Sequence, residues 1–353
     1  MAYKIDDNNI IFDSDGKTVL LTNSEILFDG STTIGNTLYD LPDTYFLDRF
    51  KFPAQGTQSG YRSGGRTTNN IVTIDKFPFS SDTNATDVGD LTQGRQLPAG
   101  QSSNTHGYTS GGLRTNPPFS PPYNSNIIDK FPFAVDANAT DVGNLTKNTY
   151  FCTGVSSTFH GYTAGGRATP PPQSPDTDII SKFPFTSDTN AAFVGSLIIA
   201  SAGSGQNGTM NAEAGYINGK SGPTTDTVQK FPFATDANAY QVGNLIGNAN
   251  ETSGSNSTTH AYVSGGDPPV IGQVIQKYAF ATEGTATDVG DLSGGYIQSA
   301  GGSSSTTNGY VLGGEDLSNN LNTIEKFPFS SDANSTDVGD LTEAVRACAG
   351  QQA

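Results

Sequence analysis

A sixteen-residue segment, KFPFSSDTNATDVGDL at residues 76–91, constrains the fold of this chain most strongly, because related copies of it occur six times. The copies begin at Lys76, Lys130, Lys182, Lys230, Lys277 and Lys326. These lysines lie 54, 52, 48, 47 and 49 residues apart, with a mean of 50. Repetition at such a period is typical of stacked supersecondary units that bury their apolar faces against one another.

Each unit of the repeat contains four short segments separated by turn-forming residues. They are a small-residue segment such as residues 95–103, a segment ending in Gly-Gly such as residues 107–112, the segment that ends in KFPF, and TDVGDL. Gly supplies 42 of the 353 residues, and no long apolar pattern of helical period is present. This arrangement predicts an all-β fold in which each unit is a four-stranded antiparallel sheet.

The third segment indicates how these sheets pack. In residues 72–79 the period of two places Phe77 and Phe79 on one face and Val72 and Ile74 on the other. A sheet that is apolar on both faces is expected between two others, as in the blades of a β-propeller. Pro78 has no amide hydrogen to donate, so we expect it at a strand end or a bulge.

The four segments in this order resemble the kelch repeat. In that family a strand often opened by Arg is followed by a strand ending Tyr-x-x-Gly-Gly, a strand with a Tyr-Asp-like element, and then an aromatic residue and a Leu. One unit matches this pattern at Arg95, Tyr108, Gly111, Gly112, Asp129 and Leu145. Val replaces the family's Trp in every unit, as at Val88. The resemblance covers residues from about 50 to 353 and implies a six-bladed kelch-like β-propeller.

The chain outside the repeat is predicted as a small N-terminal β segment, residues 1–48, attached to a propeller of residues 49–353. Asp15-Gly16 lies between two apolar runs and predicts a two-residue hairpin turn. A calcium loop is the less favoured alternative here, because the twelfth-position Glu of such loops is missing. The segment is short, so we expect it to pack on the propeller or on a partner subunit.

The count of segments predicts how the ring closes. Residues 344–353 repeat the first segment of a unit and then stop, while the first unit restarts its second segment near Thr57. We therefore expect residues 344–353 to complete the blade formed by residues 57–91. In the competing interpretation residues 48–55 fill that position, and the C-terminal strand is an open edge for a partner chain.

The net charge, the absence of long apolar runs and the positions of the two cysteines each narrow the possible partners and covalent links of this chain. The formal net charge is −16, which disfavours nucleic acid and anionic membranes. There is neither an apolar run of about 18 residues for a membrane helix nor an apolar signal-peptide core at the N-terminus. Cys152 and Cys348 lie at equivalent points of non-adjacent repeats, so we expect two separate buried thiols rather than a disulfide.

The connections that follow the Gly-Gly pairs are the candidate binding site. Two of them, residues 113–126 and 167–178, are long and rich in proline. Exposed loops on a rigid scaffold commonly carry recognition. The candidate contact residues are Arg114, Phe119, Tyr123, Arg167 and Gln173. Alternatively these loops fold back and cover blade edges, because proline-rich segments also serve as stiff spacers.

Other polar residues favour structural roles. His106, His160 and His260 share one repeat position, where a turn role is favoured over a metal ring. Carboxylates such as Asp82, Asp87 and Asp90 recur in nearly every unit, whereas catalytic pairs usually occur once, so turn chemistry and surface charge are favoured. No motif of a known nucleophile, zinc or nucleotide site is present. We expect no enzyme activity, bound metal or cofactor.

The amino-acid sequence of the repeat also resembles that of virion-associated proteins of phages that infect marine cyanobacteria and related bacteria. The opening MAYKIDDNNII resembles the N-terminal attachment segments of phage tail and fibre proteins. The resemblance implies a structural protein on the surface or tail of a virion, within a homo- or hetero-oligomeric assembly. Residues 1–48 would bind other virion proteins, and the propeller rim would bind a host-surface glycan or protein. A carbohydrate-binding propeller unrelated to virions is the alternative, and a propeller glycan hydrolase a weaker one.

Overall fold

The structure is a computed structural model. It describes the propeller over residues 55–114, 124–168, 175–200, 208–220, 225–266 and 272–353, together with five short strands nearer the N-terminus. Contacts divide the chain into two compact units, Met1–Phe52 and Pro53–Ala353, which are described separately.

The first unit contains two small antiparallel sheets. Its strands are β1 (Lys4–Asp6), β2 (Asn9–Ser14), β3 (Lys17–Leu20), β4 (Thr32–Ile34) and β5 (Thr37–Tyr39). The first three form one sheet in the order β1-β2-β3, and β4 pairs with β5. β2 and β3 pair antiparallel on either side of the predicted turn, with Ser14 opposite Lys17. The turn residues themselves, Asp15 and Gly16, lie outside the described residues.

The second unit consists of strands, and the residues described there form no helix. The described residues therefore include no helix that could cross a membrane. The strands are β6 (Ser59–Ser63), β7 (Thr73–Pro78), β8 (Thr86–Asp90), β9 (Ala99–Ser102), β10 (His106–Ser110), β11 (Ile127–Pro132), β12 (Thr140–Asn144), β13 (Thr149–Tyr150), β14 (Thr153–Ser156), β15 (His160–Ala164), β16 (Arg167–Ala168), β17 (Ile179–Pro184), β18 (Ala192–Ser196), β19 (Thr209–Met210), β20 (Ala214–Lys220), β21 (Thr225–Pro232), β22 (Tyr240–Ala249), β23 (Ser253–Asn256), β24 (His260–Ser264), β25 (Val274–Ala279), β26 (Gly284–Thr285), β27 (Thr287–Asp291), β28 (Gly301–Ser304), β29 (Asn308–Leu312), β30 (Thr323–Pro328), β31 (Thr336–Asp340) and β32 (Ala349–Gln352).

These strands form six antiparallel blades. In order from the innermost strand outwards, blades 1 to 6 are β32-β6-β7-β8, β9-β10-β11-β12, β14-β15-β17-β18, β19-β20-β21-β22, β23-β24-β25-β27 and β28-β29-β30-β31. The innermost strands contact one another in a closed cycle, β9-β14-β19-β23-β28-β32. The predicted all-β, six-bladed β-propeller with four-stranded blades is therefore confirmed. Blade 4 carries a fifth short strand, β26, which pairs in parallel with β22.

The last strand of the chain completes the first blade. Ala349 of β32 lies opposite Ser63 of β6, and Gln352 lies opposite Gly60. This is the closure that the count of repeat segments predicts. Of the competing segment, residues 48–54 lie outside the described residues.

The two faces of each blade pack against different neighbours, as the alternation in residues 72–79 predicts. Ile74 clusters with Phe131 of blade 2, whereas Phe77 clusters with Tyr310 of blade 6. The Tyr310 ring stacks on Phe79 at 5.0 Å between centroids. Pro78 is the last residue of β7, at a strand end as expected.

An aromatic contact of this kind recurs at all six interfaces. In each case a Tyr of the second strand packs on the aromatic pair of the next blade. The pairs are Tyr61 with Phe131 and Phe133, Tyr108 with Phe183 and Phe185, Tyr162 with Phe231 and Phe233, Tyr216 with Tyr278 and Phe280, Tyr262 with Phe327 and Phe329, and Tyr310 with Phe77 and Phe79.

The polar part of the sixteen-residue segment also joins neighbouring blades. Its Lys pairs with a carboxylate of the next blade at every interface. The pairs are Lys76–Asp136, Lys130–Asp188, Lys182–Asp236, Lys230–Glu283, Lys277–Asp332 and Lys326–Asp82. Asp87 has a local role, since its Oδ1 accepts the amide hydrogen of Gly89 at 3.1 Å. The recurring carboxylates thus serve blade contacts and turns.

Candidate functional site

The antiparallel blades give the propeller two different rims. We call one the Gly-Gly rim. It carries the connection after each Gly-Gly pair and the connection from each fourth strand to the next blade. We call the other the KFPF rim, because the turn that follows each KFPF segment lies there. The candidate binding loops are on the Gly-Gly rim.

The Gly-Gly pairs fix where the rim loops begin. Gly111 and Gly112 have φ angles of +68° and +105°, a region in which L side chains are strained. The Gly112 amide donates to the Thr149 carbonyl of the next blade at 2.8 Å. The pair therefore turns the chain onto the rim and attaches the turn to the adjacent blade.

The first candidate loop is held at both ends. Leu113 and Gln96 exchange two backbone hydrogen bonds of 2.8 and 3.0 Å, and the Ser125 amide donates to the Gly112 carbonyl at 2.7 Å. Arg114 follows Leu113 and is half-buried. The candidate residues Phe119 and Tyr123 lie outside the described residues.

The second candidate loop begins at Arg167. This residue is in β16, which pairs with β13. Its Nε donates to Asp176 Oδ1 at 3.4 Å, and its guanidinium carbon lies 5.7 Å from the centre of the Phe151 ring. The side chain is 35% exposed, so Arg167 serves the framework of the rim and still reaches solvent. Gln173 lies outside the described residues.

The structure brings the bases of these two loops together. The Asn124 side-chain amide, at the end of the first loop, donates to the Arg167 carbonyl at 3.4 Å. Arg114 and Arg167 therefore lie on one rim, in adjacent blades. Among the described arginines, Arg62 and Arg95 are fully buried, whereas Arg66, Arg114, Arg167 and Arg346 are on this rim. These four side chains are half-buried, and guanidinium groups that reach solvent suit recognition of carboxylate or phosphate groups on a partner.

Sequence reasoning missed a second polar group on the same rim. Tyr296 Oη donates to Gln298 Oε1 at 2.7 Å, Gln298 Nε2 donates to Glu315 Oε1 at 2.9 Å, and Arg346 pairs with Glu315. A comparison of repeat positions would have placed Gln298 beside Glu315, but it would not have placed Arg346 there. Gln298 pairs with Glu315 in the way that Gln96 pairs with Leu113, so both residues belong to one recurring backbone bridge.

The innermost strands leave little space along the propeller axis. The Ser102 amide donates to Ser156 Oγ of the next blade at 3.0 Å, and the Met210 amide donates to Asn256 Oδ1 at 2.7 Å. The Gln352 amide continues this pattern by donating to Ser102 Oγ at 3.0 Å. The space they enclose is about 10 Å³, no more than a single water molecule needs. The axis is thus a packed core and not a wide channel.

Strained backbone conformations recur next to the propeller axis. Five residues other than Gly have φ angles between 54° and 57° just before an innermost strand. They are Leu97, Phe151, Glu251, Ser299 and Ala347. The Leu97 amide donates to the Ala347 carbonyl at 2.7 Å, and the Ala347 amide donates to the Ser299 carbonyl at 2.7 Å. Repetition of the strain around the ring indicates that it orients interblade hydrogen bonds.

Each of the three histidines is the first residue of a second strand, next to a turn on the KFPF rim. The His106 amide donates to Ser103 Oγ at 3.0 Å, and its ring centre lies 6.4 Å from that of Tyr108 in its own blade. Burial of the ring, followed by the nearby Lys130, lowers the pKa of His106. Within the described residues no group of three or more His, Cys, Asp or Glu is arranged to hold a metal ion.

Cys152 and Cys348 are free and fully buried, as predicted. Burial raises the pKa of Cys152 to about 12 and that of Cys348 to about 11. Both thiols are therefore protonated at neutral pH and behave as small apolar groups.

Comparison with protein-family models and with curated proteins finds no match to this chain.

Proposed function

We propose that this chain is a structural protein of a phage virion, a component of the tail, a fibre or another appendage, and that its Gly-Gly rim binds a host-surface molecule or another virion protein. The virion assignment is based on the resemblance of the repeat and of the first eleven residues. The N-terminal segment would attach the propeller to the particle.

The difference between the two rims is the observation that carries the binding part of this proposal. On the KFPF rim, each of the six Lys residues pairs with a carboxylate of the next blade. On the Gly-Gly rim, the loops differ in length between blades, and four partly exposed Arg residues are found there. A rigid ring with one uniform rim and one variable rim favours recognition through the variable one.

The packed axis supports a binding role over a catalytic one. A space for about one water molecule does not admit a glycan along the axis. A substrate would have to bind at the outer rim, where the loops that we assign to recognition already lie.

Cryo-electron microscopy of purified particles, with mass spectrometry of their proteins, tests the virion assignment. We expect peptides of this chain in the particles and density for a six-bladed disc with its Gly-Gly rim outward. Absence of the chain from particles would overturn the assignment. Glycan binding by the isolated protein would then favour the carbohydrate-binding alternative.

A pair of variants of the purified chain tests the rim. Replacing residues 114–123 by residues 67–69, the equivalent connection of blade 1, should abolish binding to envelopes of cells that the particles infect. The matched control is His160→Asn on the KFPF rim, which installs the residue that blade 6 has at Asn308 and should leave binding unchanged. If the two variants bind equally well, the loop on the Gly-Gly rim is not the binding surface.

A further inference from the structure

The acidic residues are distributed unevenly around the ring. Residues 251–341, which make up blades 5 and 6, contain eleven Asp or Glu and two Lys. Residues 92–250, which make up blades 2 to 4, contain nine Asp or Glu and eight Lys or Arg. One side of the propeller is therefore strongly negative, and the other is nearly neutral.

Blades 3 and 4 also expose apolar side chains at positions where the other blades are polar. Phe193 is 58% exposed and stands where the other blades have Asp, except for blade 4, which has Gln241. Tyr240 is 48% exposed and stands where four blades have Thr. Ile198 and Ile246 are 49% and 37% exposed and stand where the other four blades have Thr or Ser. We call Phe193, Ile198, Tyr240 and Ile246 the neutral strip.

Phe193 and Tyr240 lie close together on the outer surface. The Ala239 amide donates to the Ser196 carbonyl at 2.9 Å, and the Ser196 amide donates to Asn238 Oδ1 at 3.0 Å. The end of β18 therefore meets the start of β22, and Tyr240 lies beside Ser196. Phe193 is three residues earlier in the same strand, a distance of roughly 10 Å.

The outer strand of blade 3 lacks an Asp that the outer strands of blades 1, 2, 5 and 6 have. An Asp side chain at this position, such as Asp87 or Asp141, places a charge on the edge strand and accepts the amide hydrogen of the following Gly. Charged residues on edge strands discourage pairing between molecules. In β18 the position holds Phe193. Blade 4 covers the end of this edge through its bonds to Ser196, and no described strand pairs with the edge at Phe193.

We propose that two copies of this chain associate through the neutral strip, with β18 of one copy beside β18 of the other about a two-fold axis. A two-fold contact uses the same patch on both partners, and an apolar, nearly uncharged strip is complementary to itself. Two chains of net charge −16 repel each other. In a ring of six, the border of blades 3 and 4 lies opposite the border of blades 6 and 1. The contact therefore keeps the acidic blade 6 on the far side, while blade 5 adjoins blade 4.

The mass of the purified full-length chain in solution tests this proposal. By light scattering at increasing protein concentration, the mass should rise from 36.8 kDa towards twice that value. Added salt should favour the pair, because it screens the residual repulsion between two acidic molecules. A mass that stays at one chain at all concentrations, or that passes beyond two chains, overturns the proposal.

A repeat-guided double variant tests the surface. Phe193→Asp with Tyr240→Thr installs residues that other blades already have at these positions, so the blade should fold, and a thermal melt checks this. The dissociation constant of the pair should rise about tenfold or more. The control is Leu317→Ser in blade 6, where an apolar side chain 77% exposed lies in the acidic half. The proposal fails if the double variant pairs as well as the unaltered chain, or if Leu317→Ser weakens pairing equally.

Discussion

At the scale of single residues, glycine determines how closely the blades approach the axis. Each innermost strand has or adjoins a Gly at one repeat position, and these are Gly100, Gly154, Gly208, Gly254, Gly302 and Gly350. A Cβ atom on Gly302 would overlap the carbonyl oxygen of Gly254, and one on Gly350 would overlap that of Gly302. The interblade packing at the axis therefore depends on the missing side chain.

Two neighbouring glycines of β28 give a matched test. We expect Gly302→Ala to destabilise the propeller by about 2–3 kcal/mol, because the overlapping atom belongs to a packed backbone. We expect Gly301→Ala to change stability by less than about 0.5 kcal/mol. A Cβ on Gly301 has no neighbour nearer than 3.3 Å, and blades 2 and 1 have Ala99 and Ala349 there. Urea unfolding of both variants measures the difference, and equal costs would contradict this account.

The interface tyrosines make stability sensitive to alkaline pH. Burial raises the pKa of Tyr108 and of Tyr162 to about 12, above the ordinary value of 10.0. The folded chain therefore holds these protons more tightly than the unfolded chain. Their contribution to stability is complete below about pH 10 and is lost as the pH rises towards 12.

Urea unfolding at a series of pH values tests this sign. The free energy of unfolding should fall steeply between about pH 10 and 12. The double variant Tyr108→Phe with Tyr162→Phe should show a shallower fall, since two of the buried phenols no longer titrate. An identical pH profile for the variant would show that these two groups do not cause the effect.

At the scale of elements, the third strand of blade 5 shows how a degenerate copy of the repeat is accommodated. Its segment reads KYAF in place of KFPF, so Tyr278 stands where the other copies have Phe. Tyr278 Oη donates to Asn218 Oδ1 at 2.9 Å and lies 2.6 Å from Thr209 Oγ1. All three side chains are buried, so blade 4 supplies polar partners that match this strand.

Replacing Tyr278 by Phe, the residue that the other copies have, should therefore destabilise the protein. Tyr278→Phe leaves the buried Asn218 without its donor, which should cost about 1–3 kcal/mol. The double variant Tyr278→Phe with Asn218→Ser should recover part of that cost, because Ser110 stands at the equivalent position of blade 2. Thermal unfolding of both variants is the measurement. A single variant as stable as the unaltered chain would show that the hydroxyl contributes nothing.

At the scale of the whole molecule, one short strand joins the two ends of the propeller. β32 is paired with β6, and its neighbours at the axis are β28 and β9. The Gln351 side-chain amide donates to Ser63 Oγ at 2.8 Å and to the Tyr108 carbonyl at 3.0 Å. β32 therefore binds blade 1 and the interfaces on both of its sides.

Removal of residues 349–353 should abolish the single cooperative unfolding transition, because it exposes β6 and opens two blade interfaces. A permuted chain, with residues 344–353 spliced in front of Thr57 and ending at residue 343, is the matched control. It should unfold cooperatively near the original temperature, since the Thr57 amide already donates to the Ala353 carbonyl at 2.6 Å. Calorimetry compares the two, and cooperative unfolding of the truncated chain would contradict the role of β32.

The candidate site was predicted from sequence only in part. Its location on the rim follows from the order of strands, which the repeat indicates. The surroundings of Arg167 do not, because Phe151 is sixteen residues earlier and Asn124 is in another blade. The group formed by Tyr296, Gln298 and Arg346 was missed for the same reason: its members meet only where adjacent blades pack.

The sequence by itself determined the number of blades, the four strands of each blade and the closing role of the last strand. Strand alternation and turn residues are local properties, and repetition makes them visible six times. Only the tertiary structure decided which side chains meet between blades. Lys76 pairs with Asp136 across 60 residues of chain, and Gly302 meets Gly254 across 48. Such contacts depend on the twist and spacing of blades around a closed ring, which local periodicity does not specify.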